Sequence, residues 1–520
     1  MKLSKIQSNL LFFIMISSSA QVIAKDITIF YTNDLHAHVN PYKDPAVSKE
    51  RAVGGFANIA GVVKQEEKTN KDVFFFDAGD YFTGPYISTM TKGEAIIDIM
   101  NTMPYDAVSV GNHEFDHGVD NFKAQLSKAN FPILLGNIFY TQTGKSVWNK
   151  PYMIVEKNGV KIGVIGVHGK FAFYDTVAAA MRQGIEAKDE LPFIREGVKA
   201  LKGKVDLIVL LIHEGVPGRQ SSYGAKDVQR LLQADIDTAQ KVDGIDVLIT
   251  GHAHVGTPEP IKVNNTLIVS TDAYGIDMGK LVLDYNKKEK KIEGYKFNLI
   301  TMYADTYKPD PTVQAKIDEW TKKLDKITQK VVGQTTDIFS RSYGESSPVG
   351  NLVNDAVKSG SPGSIASFSN SGGFRADFPK GNLSLADLIG TFPFVNEIIT
   401  MDVAGKDLKA MANHGANLTN GIIQVSKNVS IKYNSTNPVD HRIISFTIDG
   451  KPVQDDKYYN IAVDSFMAAG GDGYLSLKNG KNRKTLPGVQ EMDLLVSYIK
   501  AQKIISPDYT KRVQDVAAVN

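Results

Sequence analysis

Residues able to bind metal ions recur in the first half of the 520-residue chain, and most of them directly follow a short apolar run. Eight of the ten histidines lie before residue 255. In chain order the groups are Asp34-Leu35-His36, Gly79-Asp80, Gly111-Asn112-His113-Glu114, His213 and Gly251-His252-Ala253-His254. Their side chains offer imidazole nitrogens, carboxylates and one amide oxygen, a mixed set that suits borderline divalent ions such as zinc or manganese. The chain has no cysteine, which excludes thiolate sites and disulfides.

The apolar runs before these groups are candidates for buried β-strands. They are four to six residues long, rich in Val, Ile and Phe, and bounded by Gly or Asp, which favours inner strands of a layered α/β domain. The runs span residues 27–31, 73–76, 107–110, 162–167, 207–212 and 247–250. In a parallel-type sheet, the loops after the carboxyl ends of the strands gather on one edge, so we expect the five groups to meet at one crevice.

The order Asp-x-His, Gly-Asp, Gly-Asn-His-Glu, His and Gly-His-x-His resembles the signature of the calcineurin-like metallophosphoesterases, and all five groups take part in the match. The resemblance implies two bound divalent ions, with zinc or manganese favoured over magnesium or cobalt. The ligands that it implies for one ion are Asp34, His36, Asp80 and His254. Those that it implies for the other ion are Asp80, Asn112, His213 and His252. Asp80 then bridges the pair.

Such a pair of ions has a defined chemistry. Two cations about 3.5 to 4 Å apart clamp a phosphate ester and lower the pKa of a bridging water, so that hydroxide can attack phosphorus in line. The leaving oxygen then needs stabilisation. His113 is the candidate, because it follows the ligand Asn112 and as an imidazolium could stabilise or protonate the leaving oxygen. Asp116, three residues further on, is placed to orient His113 and favour its charged form.

Other polar residues near these groups are expected to play structural roles. A single histidine at a strand end is usually a hydrogen-bonded structural residue, and a single acidic residue there usually belongs to a turn. We therefore predict no direct catalytic or metal-binding role for Asp77, His38, Glu114, His117, His168 and Glu214.

The second half carries longer motifs. They are Ser347 to Asp355, Ser369 to Arg375, Phe392 to Asn396 and Phe466 to Tyr474. These motifs resemble the C-terminal domain of exported 5′-nucleotidases, and together with the first half the resemblance spans nearly the whole chain after the leader. It implies that Phe394 and Phe466 sandwich the nucleobase, an arrangement that tolerates different bases because every base has a π face. It also implies that Asn396 and Asp472 contact base or ribose, and that Arg375 holds the phosphate with Asn370 beside it.

The chain is too long for one hydrophobic core, so we expect several domains. The predicted order is a leader (1–24), a metallophosphoesterase domain (25–304), a linker with a helix (305–335) and a nucleotide-binding domain (336–520). Helical spacing of apolar residues after Pro311 predicts that the helix covers 313–331 and that the segment from Gly333 marks its end. Asp449-Gly450 predicts a hairpin between 442–448 and 458–463. The family resemblance implies a four-layer αββα sandwich, a linking helix and a C-terminal α/β substrate-binding domain.

The first residues resemble a signal peptide. Lys2 and Lys5 precede an apolar run from Leu10 to Ile16, followed by small residues that suit cleavage after Ala24 or after Ala20. The alternative, an uncleaved anchor, requires about 20 apolar residues, and this run is shorter. We expect a protein exported to the periplasm or outside the cell, without a stable membrane anchor. Net charge is only +2 and no basic stretch is interleaved with aromatics, so polymeric nucleic acid is not an expected partner.

The expected function is removal of the 5′-phosphate from nucleotides such as AMP, with nucleoside di- and triphosphates and UDP-sugars as further substrates. A sister activity remains open, because a 2′,3′-cyclic-nucleotide phosphodiesterase and 3′-nucleotidase has the same two halves. A third reading is a secreted nucleotide-binding or adhesion protein without catalysis. The complete set of ligand types argues against this third reading.

Overall fold

The computed structural model describes residues 24–216 and 227–517. The expected leader lies outside these residues, except for its last residue, Ala24, with which the first strand begins. Within the described residues, no helix is both long enough and apolar enough to cross a membrane.

The first half contains strands and helices in alternation. The strands are β1 (Ala24–Thr32), β2 (Val73–Asp77), β3 (Ala107–Val108), β4 (Ile138–Tyr140), β5 (Tyr152–Lys157), β6 (Val160–His168), β7 (Ile185–Ala187), β8 (Leu207–Glu214), β9 (Val247–His252), β10 (Ile261–Val263), β11 (Thr266–Val269), β12 (Asp277–Asn286) and β13 (Lys291–Thr301). The helices are α1 (Phe56–Glu67), α2 (Tyr86–Thr91), α3 (Glu94–Met100), α4 (Gly118–Leu126), α5 (Lys170–Thr176), α6 (Glu190–Leu201), α7 (Val228–Leu231), α8 (Gln233–Lys241) and α9 (Pro311–Thr328).

Two sheets pack face to face in this half. One has the strand order β13-β12-β1-β2-β3, and the other has the order β10-β11-β9-β8-β6-β5. Strands β2 and β8 are buried along their whole length, as expected for central strands covered on both faces. Apolar side chains from both sheets, including Phe76, Val164 and Val209, share one core between them. Helices cover the outer faces through two further cores, which gives the expected four-layer αββα sandwich.

The helix predicted after Pro311 is present but shorter than predicted. It begins at Pro311, where Asp310 caps it by accepting hydrogen bonds from the backbone N–H groups of Thr312 and Val313, and it ends at Thr328. The prediction that it continues to Val331 is wrong, because the segment Val331–Thr335 forms a strand instead. Apolar residues along one face of the helix, such as Ile317, pack into the core of the first half.

The second half is also mixed α/β. Its strands are β14 (Val331–Thr335), β15 (Ala366–Asn370), β16 (Gly381–Ser384), β17 (Glu397–Ala404), β18 (Ile423–Val425), β19 (Val429–Tyr433), β20 (Ile443–Ile448), β21 (Lys451–Pro452), β22 (Tyr458–Asp464), β23 (Lys481–Gln490), β24 (Ile504–Ile505) and β25 (Val513–Asp515). Its helices are α10 (Pro348–Gly360), α11 (Leu385–Thr391), α12 (Gly405–Ala416), α13 (Ser465–Ala468) and α14 (Glu491–Gln502). The sheets have the strand orders β18-β15-β22-β17-β23, β21-β20-β19-β25 and β16-β14-β24.

The hairpin predicted at Asp449-Gly450 has a different second strand. The turn is present, and both of its central residues have positive φ, but β20 pairs with the two-residue strand β21. The segment predicted as its partner, 458–463, belongs to β22, which lies between β15 and β17 in another sheet. The reason is burial, because Ile461 and Val463 are fully buried in the core of that larger sheet.

Candidate active site

The five groups of candidate ligands meet at the carboxyl ends of strands from both sheets of the sandwich. Strands β1, β2 and β3 run parallel in one sheet, and β8 and β9 run parallel in the other. The loops after all five strands therefore open at one edge of the sandwich. The sequence predicts that the five groups meet at the edge of one parallel sheet. In the structure the groups come from two sheets and still meet at one place.

The backbone is held in an uncommon conformation at most of these ligands. Positive φ values occur at Asp34 (52°), His36 (42°), Asp80 (62°), His252 (74°) and His254 (55°). Non-glycine residues rarely adopt this left-handed region, and residues held there concentrate at functional sites. The fold therefore sustains a local cost in order to turn these side chains toward a common point.

The ligand atoms of the first cluster lie within 4.8 Å of one another in a largely buried site. The cluster comprises Asp34, His36, Asp80 and His254. The Nε2 atoms of His36 and His254 are 2.9 Å apart, and Nε2 of His254 lies 3.4 Å from Oδ1 of Asp34. Nδ1 of His36 is engaged by the carbonyl oxygen of Thr83 at 3.0 Å, which leaves Nε2 to face the cluster.

The second cluster shares Asp80 with the first. It contains Asp80, His213 and His252, again within 4.8 Å and buried. Nε2 of His213 lies 3.1 Å from Oδ2 of Asp80, while Nδ1 of the same ring meets the carbonyl oxygen of Ala78 at 2.8 Å. Asn112 is also buried beside these residues in the same cavity wall as Asp80 and His252.

Buried polar atoms without hydrogen-bond partners show that these clusters suit metal ions. Such atoms are normally paired, so each one calls for an explanation. Here they include Oδ2 of Asp80, Nε2 of both His213 and His252, and both Oδ1 and Nδ2 of Asn112. Carboxylate oxygens, imidazole nitrogens and an amide oxygen together form a donor set that fits divalent cations.

The electrostatics of the clusters support the same conclusion. Burial by itself raises the pKa of Asp80, but His213 and His113 outweigh burial and hold that pKa well below its usual range. Burial lowers the pKa of His213, yet Asp80 and Asp34 raise it to about 10. Burial and the charge of Arg375 hold the pKa of His36 well below its usual range, so His36 presents a lone pair. The carboxylates of Asp80 and Asp34, which raise the pKa of His213, also create a negative field that attracts a divalent ion.

Two glycines allow the ligands to approach the backbone. A Cβ at Gly111 would overlap Oδ1 of Asp80, and a Cβ at Gly251 would lie 2.7 Å from Nδ1 of His213. Neither space can hold a side chain without moving a ligand. The glycines that precede Asn112 and His252 are therefore required by packing.

His113 and Asp116 form a pair beside the clusters. Oδ2 of Asp116 lies 2.7 Å from Nδ1 of His113 and also accepts a hydrogen bond from Oγ1 of Thr83 at 2.7 Å. Burial lowers the pKa of His113, but the carboxylates of Asp116 and Asp80 outweigh burial and raise it. With Nδ1 engaged, Nε2 remains for a substrate, 4.0 Å from Oδ2 of Asp80.

The candidate substrate residues meet at one edge of the large C-terminal sheet. Strands β15 and β22 are parallel, so Asn370 at the end of β15 and Phe466, just after β22, lie on the same edge. Strand β17 runs antiparallel to β22, so the residues just before β17, Phe394 and Asn396, lie there too. Asp472 lies close to Asn370, whose Nδ2 donates to its Oδ2 at 2.6 Å.

One cavity joins this edge to the metal clusters. Its wall contains four of the candidate metal ligands, both residues of the His113–Asp116 pair and all six candidate substrate residues. These are Asp80, Asn112, His252, His254, His113, Asp116, Asn370, Arg375, Phe394, Asn396, Phe466 and Asp472. The two halves of the chain thus enclose a single site.

Contacts across this cavity link the two halves directly. Nη2 of Arg375 lies 3.3 Å from Nε2 of His36, and the rings of Phe394 and His113 have centroids 5.7 Å apart. Burial lowers the pKa of Arg375, but Tyr274 and Tyr343 outweigh burial and raise it, so the guanidinium stays charged. A permanent cation therefore stands over the clusters, on the side where a phosphate would bind.

The residues expected to be structural have hydrogen-bond partners or packing of their own. Glu114 accepts three backbone N–H groups, from Asp80, Phe82 and Gly111, and so supports the loop that carries Asp80. Asp77 accepts from Oγ1 of Thr32 and from the backbone N–H of Gly79. His38 and His168 each meet a backbone carbonyl through Nδ1, and Glu214 is buried. His117, however, lines the cavity.

Some residues of the site were missed by the sequence interpretation. Tyr343, Asn420, Thr176 and Met181 line the cavity although none belongs to a recognised motif. Arg341, which precedes the first of the C-terminal motifs, does not line the cavity. Its backbone N–H donates to Oδ1 of Asp377, and its side chain approaches Tyr274 of the first half. Short motifs could not reveal such residues, since each one is isolated in the sequence.

Comparison with known proteins gives a match in each half. Residues 27–256 match the family described as calcineurin-like phosphoesterase, and residues 331–479 match the family described as 5′-nucleotidase, C-terminal domain. The chain is 28% identical to the 5′-nucleotidase of Diplobatis ommata over 94% of this chain and 89% of that protein. It is 26% identical to the apyrase of Tabanus yao over 91% of each chain.

A solved structure shows the same fold. The 5′-nucleotidase precursor from Thermus thermophilus superposes with a TM-score of 0.83 at 23% identity, over 94% of this chain and 99% of that chain. The fold and the buried clusters define a metallophosphoesterase, which is a hydrolase. More particularly, the chain belongs to the 5′-nucleotidase family, with a calcineurin-like phosphoesterase domain before a 5′-nucleotidase C-terminal domain. The family and enzyme class expected from the motifs are therefore confirmed.

Proposed function

We propose that this protein is an exported enzyme that removes the 5′-phosphate from nucleotides, with AMP as a representative substrate. The proposal rests mainly on one observation. A single cavity is lined by candidate metal ligands and also by the aromatic residues expected to bind the base. Export is proposed from the leader-like residues at the start of the chain. Nucleoside di- and triphosphates and UDP-sugars are proposed as further substrates, because each offers a base to the aromatic side chains and an anionic phosphate group to the metal site.

The residues have distinct proposed roles. Asp34, His36, Asp80 and His254 hold one divalent ion, and Asp80, Asn112, His213 and His252 hold the other. When bound, such a pair polarises the phosphate and supplies an activated water as nucleophile. Arg375 binds phosphate oxygens by charge-assisted hydrogen bonds, and Asn370 positions Asp472. Phe394 and Phe466 stack on the base.

His113 and Asp116 are proposed to serve the leaving group. Asp116 fixes Nδ1 of His113 at 2.7 Å and favours the imidazolium. Nε2 can then donate its proton to the 5′-oxygen of the leaving nucleoside.

The proposal is tested by measuring phosphate release from a panel of substrates. The panel contains AMP, ADP, ATP, 3′-AMP, 2′,3′-cyclic AMP, UDP-glucose and bis(p-nitrophenyl) phosphate, each assayed with zinc, manganese or magnesium. We expect AMP to give the highest kcat/KM. Preference for 3′-AMP and the cyclic nucleotide would instead assign the sister activity. If the protein binds AMP but releases no phosphate with any of the metals, it is a nucleotide-binding protein without catalytic activity.

A further inference from the structure

A second cavity adjoins the first at Phe466 and Asn420, which line both. It has a volume of about 750 Å³, which lies in the range of ligand-binding cavities. Its walls come from α5 and the residues after it in the first half, and from the segment Gly470–Gly473 in the second half. None of the roles proposed above uses this space.

Three cationic side chains line the second cavity without an ion pair to any described residue. They are Lys170, Arg182 and Lys478. The guanidinium of Arg182 packs over the ring of Tyr174 at 5.0 Å from its centroid. The amine of Lys478 lies beside Gly470, where a Cβ would come within 3.3 Å of Nζ. Their charges are therefore available to an anionic ligand.

Three of the four carboxylates of the cavity accept hydrogen bonds from protein groups. Oδ2 of Asp175 accepts from Asn420 at 3.0 Å, and Oδ1 of Asp189 caps helix α6 by accepting from the N–H of Leu191 at 3.0 Å. Oε2 of Glu190 accepts from the backbone N–H of Lys170 at 3.1 Å. The remaining carboxylate, Glu214, is only 4% exposed. None of these four carboxylates forms an ion pair with Lys170, Arg182 or Lys478, so the three cations have no direct anionic partner among the described residues of the cavity.

Two aromatic rings on α5 complete the cavity wall. Phe171 is 51% exposed and Tyr174 is 41% exposed, so both rings are accessible from the cavity. Exposed rings beside unpaired cations are the combination by which proteins bind phosphate-linked bases, since the rings stack and the cations hold the backbone. The chemistry of the cavity therefore fits a nucleotide.

The wall between the two cavities is the loop that carries Asp472. Asp472 lines the first cavity, while its neighbours Gly471 and Gly473 line the second. The backbone carbonyl of Asp472 is held by Nε2 of His414 at 2.6 Å, which fixes the loop. The family resemblance implies that Asp472 contacts base or ribose. If Asp472 contacts the ribose hydroxyls, a substituent on the 3′-oxygen lies beside the loop that also lines the second cavity.

We propose that the second cavity binds the 3′-phosphate and the following nucleoside of a 5′-phosphorylated dinucleotide, and that the protein dephosphorylates such dinucleotides at their 5′ end. This inference rests on the proposed function, because it uses the same reaction. The oxygen of water bonds to the 5′-phosphorus, the bond from phosphorus to the 5′-oxygen breaks, and that oxygen takes a proton. The products are a dinucleoside monophosphate and inorganic phosphate, and the internal phosphodiester stays intact.

The first test compares the 5′-phosphorylated dinucleotide pApA with AMP in the wild-type holoenzyme. Because one charge-assisted contact is typically equivalent to about a tenfold change in affinity, we expect KM for pApA to lie about tenfold below KM for AMP. A higher KM for pApA overturns the inference while leaving the proposed function intact. No phosphate release from AMP itself would contradict the proposed function.

Variants locate the effect in the second cavity. In the double variant Arg182→Gln/Lys478→Gln, the ratio of kcat/KM for pApA to kcat/KM for AMP should fall about tenfold. The matched control is Arg195→Gln/Lys199→Gln, which makes the same charge changes on exposed residues of α6 and should keep the wild-type ratio. An equal ratio in both double variants overturns the inference.

A third substrate separates phosphate recognition from base recognition. Adenosine 3′,5′-bisphosphate carries the 3′-phosphate without a second base. Phe171→Ala should raise KM for pApA and leave KM for the bisphosphate near that of the wild type, because only pApA has a second base to stack on the ring. Equal effects on both substrates overturn the assignment of the second nucleoside.

Binding provides a measurement that is independent of turnover. By calorimetry, the product ApA should bind the holoenzyme about tenfold more tightly than adenosine, and Arg182→Gln/Lys478→Gln should remove that difference. Equal dissociation constants for ApA and adenosine in the wild type overturn the inference.

Discussion

Nη2 of Arg375 lies 3.3 Å from Nε2 of His36, although 339 residues separate them in the sequence. Arg375 follows a strand of the C-terminal sheet, and His36 follows the first strand of the N-terminal sandwich. The contact therefore closes the site between the two halves. It places a permanent cation against a candidate metal ligand, at the point where a phosphate would have to meet both.

Arg375→Gln should lower kcat/KM for AMP by about 10- to 150-fold, because hydrogen bonds to a charged group are each equivalent to about 1.5 to 3 kcal/mol. Arg375→Lys should recover only part of the loss, since an ammonium cannot form the forked contact. Phosphate release gives the rates, and metal analysis of the purified variants should show wild-type content. Arg195→Gln on exposed helix α6 is the control. Wild-type kcat/KM in Arg375→Gln would exclude this role.

His113→Ala should reduce kcat by about 100- to 10,000-fold while the bound metal is retained. Asp116→Asn should have a smaller effect of the same kind, because it removes the negative partner at 2.7 Å from Nδ1 but keeps the ring. Single-turnover rates with AMP measure both effects. A substrate with a leaving group of low pKa, such as p-nitrophenyl phosphate, should be less sensitive to His113→Ala. Equal sensitivity would argue against proton donation to the leaving oxygen.

Asp80 is the one residue shared by both clusters, so Asp80→Asn should affect both ions. We expect metal analysis to show two divalent ions in the wild type, close to one in His254→Ala, and weak binding of both in Asp80→Asn. Loss of a residue that only hydrogen-bonds to a metal ligand typically lowers activity about 10- to 100-fold. Because Asp80 is itself a candidate ligand, the activity of Asp80→Asn should fall further than that. Retention of two tightly bound ions in Asp80→Asn would contradict the bridging role.

Gly111→Ala should destabilise the site without removing any polar group. A Cβ at this position overlaps Oδ1 of Asp80, so either the strand end or the ligand must shift, at a cost of about 1 to 3 kcal/mol. Thermal unfolding and metal titration measure the effect. Gly390→Ala is the matched control, because a Cβ there meets nothing within 4 Å. Similar metal affinity in the two variants would show that the close approach at Gly111 is unimportant.

Glu491 is expected to make the free energy of unfolding depend on pH. Burial, with the neighbouring Asp464, raises the pKa of Glu491 to about 8. The folded state then binds the proton more tightly than the unfolded state, so this contribution to stability is lost as pH rises from the ordinary glutamate value through about 8. Glu491→Gln should flatten that slope, which is at most about 1.4 kcal/mol per pH unit.

The measurement for Glu491 is urea unfolding of the metal-free protein between pH 5.5 and 8.5. The difference in free energy of unfolding between Glu491→Gln and the wild type should grow with pH in favour of the variant. Glu319→Gln, on an exposed position of α9, should show no such trend. A constant difference across the range would mean that Glu491 does not change its protonation between folded and unfolded states.

Several features could be predicted from the sequence because they are local. The apolar run 207–212 within β8 is an example, because it is apolar throughout and is followed directly by the candidate ligand His213. The layered fold, the family and the hydrolase class are confirmed on this basis. The roles of individual site residues, the domain boundaries and the cellular location stay predictions.

Other features depended on packing that no local pattern records. The turn at Asp449-Gly450 was predicted, but its partner strand was not, because burial of Ile461 and Val463 in a different sheet outweighs pairing with the nearest segment. The end of helix α9 was misplaced by three residues, since Val331 gains a partner in β16 that the helix pattern does not reveal.

The sequence by itself determined which chemical groups stand at the strand ends, since residue type and strand periodicity are properties of short segments. It thereby determined a mixed nitrogen and oxygen ligand set and a family. Only the tertiary structure decided how the halves face each other, which residues such as Tyr343 and Asn420 join the wall, and that a second cavity adjoins the first. The physical reason is that shape complementarity between distant surfaces depends on the packing of all side chains at once, which spacing along the chain does not encode.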